Sequence, residues 1–324
     1  MPTHRSPLAG TIVVLVGASL FATLGPLSRF AYERGMDPLA FVAWRAGLAT
    51  LALGTIVAWG ALARGRALVR PSELAGRVRV TLAFAMAFAL LINITIFAAF
   101  DRTSVALALL GFYTYPTMIA AVAVALGREP LTRGVAVALA IAVGGMVLVL
   151  VGGLGASGDV RFDPFGIGLA LAAAACQTGF VTISRGYRSV PADQAMSVIL
   201  AVTFVTCAAI SIVLSGPEDL AMPLADAGLL PILVAAGVLG AAIPSLLFLV
   251  GIRLIGGTRA GILMLFEPVV GVALAAVLLG ETLGPVQAFG GAAILAAAFI
   301  LQRSPQRPGP DEEVALTTPA PGGP

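Results

Sequence analysis

Apolar residues along this chain come in long runs, each ended by a charge, a glycine or a proline. The runs recur about every 30 residues, and each has the roughly 17 to 25 residues that a helix needs to cross a bilayer. Their boundaries predict ten membrane-spanning helices, at residues 9–30, 39–60, 79–100, 104–126, 132–152, 165–184, 195–215, 228–250, 257–279 and 284–302. The first run follows Arg5 and could pass for a secretory signal. Nine further spans succeed it, so it is read as a retained helix.

Composition agrees with the pattern. Of 324 residues, 59% are apolar and 11% charged, and mean hydropathy is +1.02, whereas soluble domains are about 25% charged. A water-soluble fold of this composition would lack a surface, and no stretch is left over for a soluble enzyme domain. All 19 basic residues are arginine, and the formal charge of +3 is too modest to imply nucleic acid.

Where the arginines sit decides the orientation. With the amino end inside, fourteen fall on one side: Arg5, Arg64, Arg66, Arg70, Arg77, Arg79, Arg128, Arg133, Arg185, Arg188, Arg253, Arg259, Arg303 and Arg307. Four fall on the other, Arg29, Arg34, Arg102 and Arg161, and only Arg45 lies well inside a span. The positive-inside rule then places both termini in the cytoplasm, as expected for a multi-pass protein of a bacterial inner membrane. The loop from Arg64 to Arg79 is read as a topology anchor, with anionic headgroup contact as the alternative. The segment after Gln302 is polar and proline-rich and reads as a disordered cytoplasmic tail, 303–324.

The two halves echo one another. Pro116 stands thirteen residues before Glu129, and Pro268 thirteen before Glu281; Ser28-Arg29 closes the first run as Ser184-Arg185 closes the sixth. Five spans per copy is an odd number, so the second copy enters the membrane upside down. The charges agree, since Arg128 and Arg133 follow the fourth run while no arginine follows the ninth. The fold class is therefore all-α integral membrane: ten transmembrane helices as two inverted five-helix repeats, 9–152 and 165–302. Such halves can rock about a ligand held near mid-depth, which favours a carrier.

The stretch LGFYTYPTMIAAVAVALGREPLTRG, its echo LMLFEPVVGVALAAVLLGETLGPVQAFGG, and PLAFVAWRAGLA in the second run resemble the EamA-type members of the drug/metabolite transporter superfamily. The resemblance covers about residues 9–302. It implies a ten-helix, two-repeat carrier, often an exporter of amino acids or other metabolites, with a central cavity lined by both repeats. It does not name the cargo. Pumps of the superfamily's four-helix small multidrug branch carry an acid in their first helix; the first run here has none, so any proton coupling must use another residue.

Glu267 is the sharpest candidate, an acid about ten residues into the ninth span, where a charge is expensive unless it meets a cavity or a partner. It is expected to bind a substrate amine or exchange a proton; the alternative is a structural hydrogen bond to a neighbouring helix. Pro268 removes a backbone donor there and frees a carbonyl. At the matching place in the first half stand Phe112, Tyr113, Tyr115 and Pro116, with Tyr115 aligned to Glu267. Either tyrosine could offer a ring face and a hydroxyl to an organic ligand, or simply pack. Arg45, beside Trp44, could snorkel outward as an anchor or receive a carboxylate within the cavity. Asn93 and Gln177 are neutral polar groups at depth, for ligand contact or helix-to-helix bonding. Glu129 and Glu281 read as structural echoes of the repeat.

Other classes find less support. Gly17-Ala18-Ser19-Leu20 fits a loose serine-protease pattern, but the single histidine, His4, precedes the first span and makes a poor base. With no lysine, a Walker A loop is impossible, and no HExxH occurs. Cys176 and Cys207 have neither metal spacing nor a disulfide framework and are read as packing or lipid-facing residues. The expectation is a non-enzymatic secondary transporter with no cofactor and no metal. Its partners are a small molecule, the bilayer and, as candidate coupling ion, protons; monomer and homodimer are both open, and a scaffold or sensor is the rival.

Overall fold

The computed structural model describes residues 7–128, 131–153, 161–279 and 284–304. Among the described residues, ten helices are long and apolar enough to cross a membrane: span 1 (Leu8–Tyr32), span 2 (Pro38–Arg64), span 3 (Gly76–Phe100), span 4 (Val105–Ala125) and span 5 (Arg133–Gly153), then span 6 (Pro164–Tyr187), span 7 (Ala192–Ser215), span 8 (Leu229–Ile255), span 9 (Gly257–Leu278) and span 10 (Pro285–Arg303). No strand occurs among the described residues. Several spans outrun their apolar cores. Span 2 continues through Arg64 and span 3 takes in Arg77 and Arg79, because an arginine's aliphatic stem can lie along a helix inside the interface while its head stays wet. The acids at 129 and 281 lie outside the described residues.

The helices interlock in a way that exchanging the repeats leaves nearly unchanged. Spans 2 and 7 pack along each other, as do 5 and 10, and the span 1 contact with span 8 is matched by that of span 6 with span 3. Span 9 lies against span 1 as span 4 lies against span 6. Each half therefore completes the other, and the pseudo-twofold axis lies in the membrane plane. The side where spans 1 and 9 begin and spans 8 and 10 end carries most of the described arginines; it is called here the arginine-rich face.

Four interruptions break the helical ladders among the described residues. Span 1 turns at 22–23, span 4 at 113–114, span 9 at 265–266, and span 8 carries a π turn over Val238–Ala242. Pro244 follows that π turn; its ring displaces the carbonyl four residues earlier and it has no N–H to donate, which a wider turn accommodates.

The halves of spans 4 and 9 nearer the arginine-rich face, Tyr115–Ala125 and Gly257–Met264, pack together. Gly261 lies so close to Pro116 and Ile119 that a Cβ there would meet Ile119 Cδ1 at 3.2 Å and Pro116 Cα at 3.6 Å. Their other halves, Val105–Phe112 and Glu267–Leu279, make at most marginal contact. Spans 4 and 9 thus form a V, closed toward the arginine-rich face and spread toward the opposite one.

The tightest seam joins spans 5 and 10. A Cβ on Gly145 would sit 2.6 Å from the Gly290 carbonyl oxygen, and one on Gly290 would sit 2.5 Å from that of Gly145. Backbone cannot yield as a side-chain tip can, and small residues at such crossings are what allow helices to approach in lipid. Gly145→Val is expected to cost at least about 1 to 3 kcal/mol and to lower the melting temperature in detergent. Gly144→Val, at a position where a Cβ meets nothing within 4 Å, is expected to leave it near wild type.

Candidate functional site

The breaks in spans 4 and 9 bring the midplane candidates together. In each span a proline occupies the second residue of the helix after the break, Pro116 in Tyr115–Ala125 and Pro268 in Glu267–Leu279, a position where the missing N–H costs the new helix nothing. The preceding helices lose a donor instead: the carbonyls of Phe112 and Met264, four residues before each proline, receive no helical N–H. Glu267 opens its helix, where the positive end of the dipole favours an acid.

Tyr113 and Tyr115 are both buried, and Glu267 is half-buried. Tyr113 and Tyr115 both lie close enough to the Glu267 carboxyl group to couple to it electrostatically, Tyr113 the nearer of the two. Phe112, Tyr113 and Tyr115 form an aromatic group with centroids 5.2 to 6.4 Å apart and rings tilted 41° to 55°. Alignment of the repeats pairs Tyr115 with Glu267, but Tyr113, beside the turn at 113–114, lies nearer the acid. Behind this group, Thr178 of span 6 donates to the Tyr115 carbonyl at 3.4 Å and to that of Ala174 at 2.9 Å. Gln177, one residue earlier, is half-buried, and its side chain makes no hydrogen bond among the described residues.

A second polar group stands nearer the spread face. Arg45 of span 2 donates from Nη2 to Asn93 Oδ1 of span 3 at 2.7 Å, and Asn93 Nδ2 donates to the Ala89 carbonyl at 2.8 Å. The guanidinium is therefore turned across to span 3, not outward as an interfacial anchor. Tyr32 of span 1 and Cys207 of span 7 lie within electrostatic reach of it. Trp44, beside it, donates its indole N–H to the Leu220 carbonyl at 2.9 Å. Reasoning from sequence missed Tyr32 and Thr178 and set Cys207 aside. Tyr32 ends its span, Thr178 follows Gln177, and no local pattern separates any of them from ordinary packing residues.

Neither group borders the cavity of about 260 Å³ that lies at the arginine-rich ends of spans 1, 8, 9 and 10. Leu8, Thr11, Ile255, Arg259, Leu263, Ala298, Leu301 and Gln302 line it, and none of the candidate ligand-binding residues does. Among the described residues no cluster of His, Cys, Asp or Glu could hold a metal ion, and both cysteines are free, Cys207 buried and Cys176 partly so.

Comparison with known proteins supplies the family. A solved structure described as "Crystal structure of protein" superposes with a TM-score of 0.70 at 20% identity, covering 91% of this chain and 98% of that one; at that identity the likeness concerns the fold. No curated protein matches. The model of the EamA-like transporter family matches twice, over residues 8–151 and 164–303. With ten helices able to cross a membrane and a family match that runs through both repeats, this chain belongs to the EamA-like transporter family, within the drug/metabolite transporter superfamily.

Proposed function

We propose that this protein is a secondary transporter that carries a small polar or amphipathic metabolite, an amino acid or a related compound, out across a bacterial inner membrane by alternating access. Both termini then lie in the cytoplasm, the arginine-rich face is the cytoplasmic one, and the five-helix units 9–152 and 165–302 rock against each other. One observation carries this reading: two mid-membrane helix breaks, one in each repeat, bring a tyrosine hydroxyl and the Glu267 carboxyl group together at the vertex of a V. Freed carbonyls, aromatic faces and one acid are suited to an organic ligand with a donor or a cation.

In this reading Glu267 and Tyr113 form the coupling unit, the acid exchanging a proton or meeting a ligand amine while the hydroxyl orients it. Tyr115 supplies a ring wall, and Arg45, Asn93 and Gln177 line the route. Pro116 and Pro268 keep the breaks open. The V in the structure corresponds to a state closed toward the cytoplasm and spread toward the outside.

Purified protein in liposomes, screened with amino acids and amphipathic amines with and without a pH gradient, tests the function directly. Gradient-driven movement of at least one solute is expected, and Glu267→Gln is expected to abolish the gradient's effect. Unchanged gradient-driven transport in that variant would remove Glu267 from coupling, and movement of no solute at all would favour a scaffold or sensor.

The tyrosine assignment has its own readout. The infrared carboxyl band that disappears in Glu267→Gln is expected to shift in Tyr113→Phe, which deletes the hydroxyl facing it, and to stay in place in Tyr115→Phe. A shift in the second variant alone would exchange their roles.

A further inference from the structure

The Arg45 guanidinium is a cation with unfinished hydrogen bonding. It carries five N–H donors in a planar fork, and the structure gives it one hydrogen bond, to the neutral side chain of Asn93. Its Nε–H is buried with no acceptor. The ionisable side chains that reach it electrostatically are Tyr32 and Cys207, and no carboxylate is among them. The Tyr32 hydroxyl, buried nearby, also meets no acceptor in hydrogen-bond geometry. Donors left unpaired in a low-dielectric interior are destabilising, and a charge at membrane depth normally has a partner.

Arg253 shows what a purely structural arginine looks like in the same molecule. Its Nη1 donates to the Val190 carbonyl at 3.0 Å and its Nη2 to that of Tyr187 at 3.3 Å, stapling the turn between spans 6 and 7, and Asp193 lies within electrostatic reach. Both terminal nitrogens of its fork are used, although its Nε–H, like that of Arg45, is buried with no acceptor. At Arg45 the backbone is pinned instead, since a Cβ on Gly237 of span 8 would lie 3.2 Å from the Arg45 carbonyl. The side chain is held by Asn93 on the side of the molecule where spans 4 and 9 spread, and the residue is only half-buried.

We propose that Arg45, oriented by Asn93 and assisted by the Tyr32 hydroxyl, is a recognition station for a carboxylate group. The ligand is therefore an organic acid or carries an acid group, which the planar fork can grip through two parallel N–H donors. This rests on the transporter reading for its place on the route, but the binding claim stands by itself. Asn93 is the positioning residue, since its amide oxygen fixes the plane of the guanidinium while its own Nδ2 is tied to Ala89.

The test is thermal melting of the full chain in detergent with acid and amide pairs: acetate and acetamide, phenylacetate and phenylacetamide, phenylalanine and phenylalaninamide. At least one acid is expected to raise the melting temperature in a concentration-dependent way while its amide does not, because a ligand of the folded form stabilises it by mass action. Arg45→Gln is expected to weaken the acid at least about tenfold, as loss of charge-assisted hydrogen bonds does. Arg29→Gln, an exposed change on the same face, is expected to leave it alone. Unliganded Arg45→Met is expected to melt no lower than wild type, since an unpaired buried charge is removed.

A ligand shift retained in Arg45→Gln, equal shifts from an acid and its amide, or no shift from any acid overturns the proposal, as does a marked loss of unliganded stability in both Arg45 variants. Acid binding that depends on Arg45, with no movement of any solute in liposomes, would leave this station standing and reject the transporter reading. Transport with an unchanged KM in Arg45→Gln would do the reverse.

Discussion

Lipid offers no hydrogen bonds, so every break in a membrane helix must be supported by protein or must face a cleft, and in this fold that constraint fixes where chemistry can occur. The breaks in spans 4 and 9 are the deepest use of the freedom that remains. Each is imposed by a proline at the second position of the following helix, each frees a carbonyl one turn back, and the repeat symmetry sets them against one another. Tyr113, Tyr115 and Glu267 have their places because of those two prolines. A continuous helix through either span would turn the same side chains onto different neighbours.

Most of the fold could be read in the chain itself, because bilayer thickness is a ruler that apolar runs must match. The inverted repeat was legible too, through the spacing of Pro116 and Pro268 from their following acids and through the arginine asymmetry between the loops after spans 4 and 9. The site was legible as residue types but not as pairs. Linear alignment puts Tyr115 opposite Glu267, yet a two-residue turn rotates side chains by an amount that alignment does not record, and Tyr113 makes the approach. Arg45 and Asn93 are 48 residues apart on different spans, and nothing local to either announces the other. Cys207 drew attention as a thiol without metal spacing, whereas its significance is as a neighbour of Arg45.

The arginines illustrate the same limit from another direction. Their uneven distribution is a signal of orientation, and as a signal they need touch nothing. In the structure many of them have a second occupation on the backbone. Arg128 donates to the Thr182 carbonyl at 2.9 Å, Arg188 to that of Arg253 at 3.0 Å, and Arg259 to those of Leu301 and Ser304 at 3.1 and 2.8 Å. Helix C-termini expose carbonyls that lack donors, and a long cationic side chain from a neighbouring helix can satisfy them. The loop after span 2 is docked as well. Arg66 pairs with Asp193, and the Gln194 amide brackets Val69, accepting from its N–H at 3.2 Å and donating to its carbonyl at 2.5 Å. The arginine-rich face is thereby cross-tied between the repeats.

That cross-tying bears on how the proposed motion could proceed. Rocking of two interlocked halves must exchange one set of contacts for another of similar worth, or one state would be too deep to leave. On the closed side the set includes the contact of Gly261 with Pro116 and Ile119, and that of Gly257 with Val181, together with the arginine staples. These glycine contacts involve small residues and short reach, so they are made or lost over a small displacement. The seam of Gly145 on Gly290 is backbone against backbone and cannot slide without a clash. In the proposed motion the division would fall between spans 5 and 10, which would serve as a fixed hinge line, and spans 4 and 9, whose V would close at one end as it opens at the other. Glu267 and Tyr113 lie at the vertex, where in the proposed cycle a ligand would stay near both residues whichever end is open.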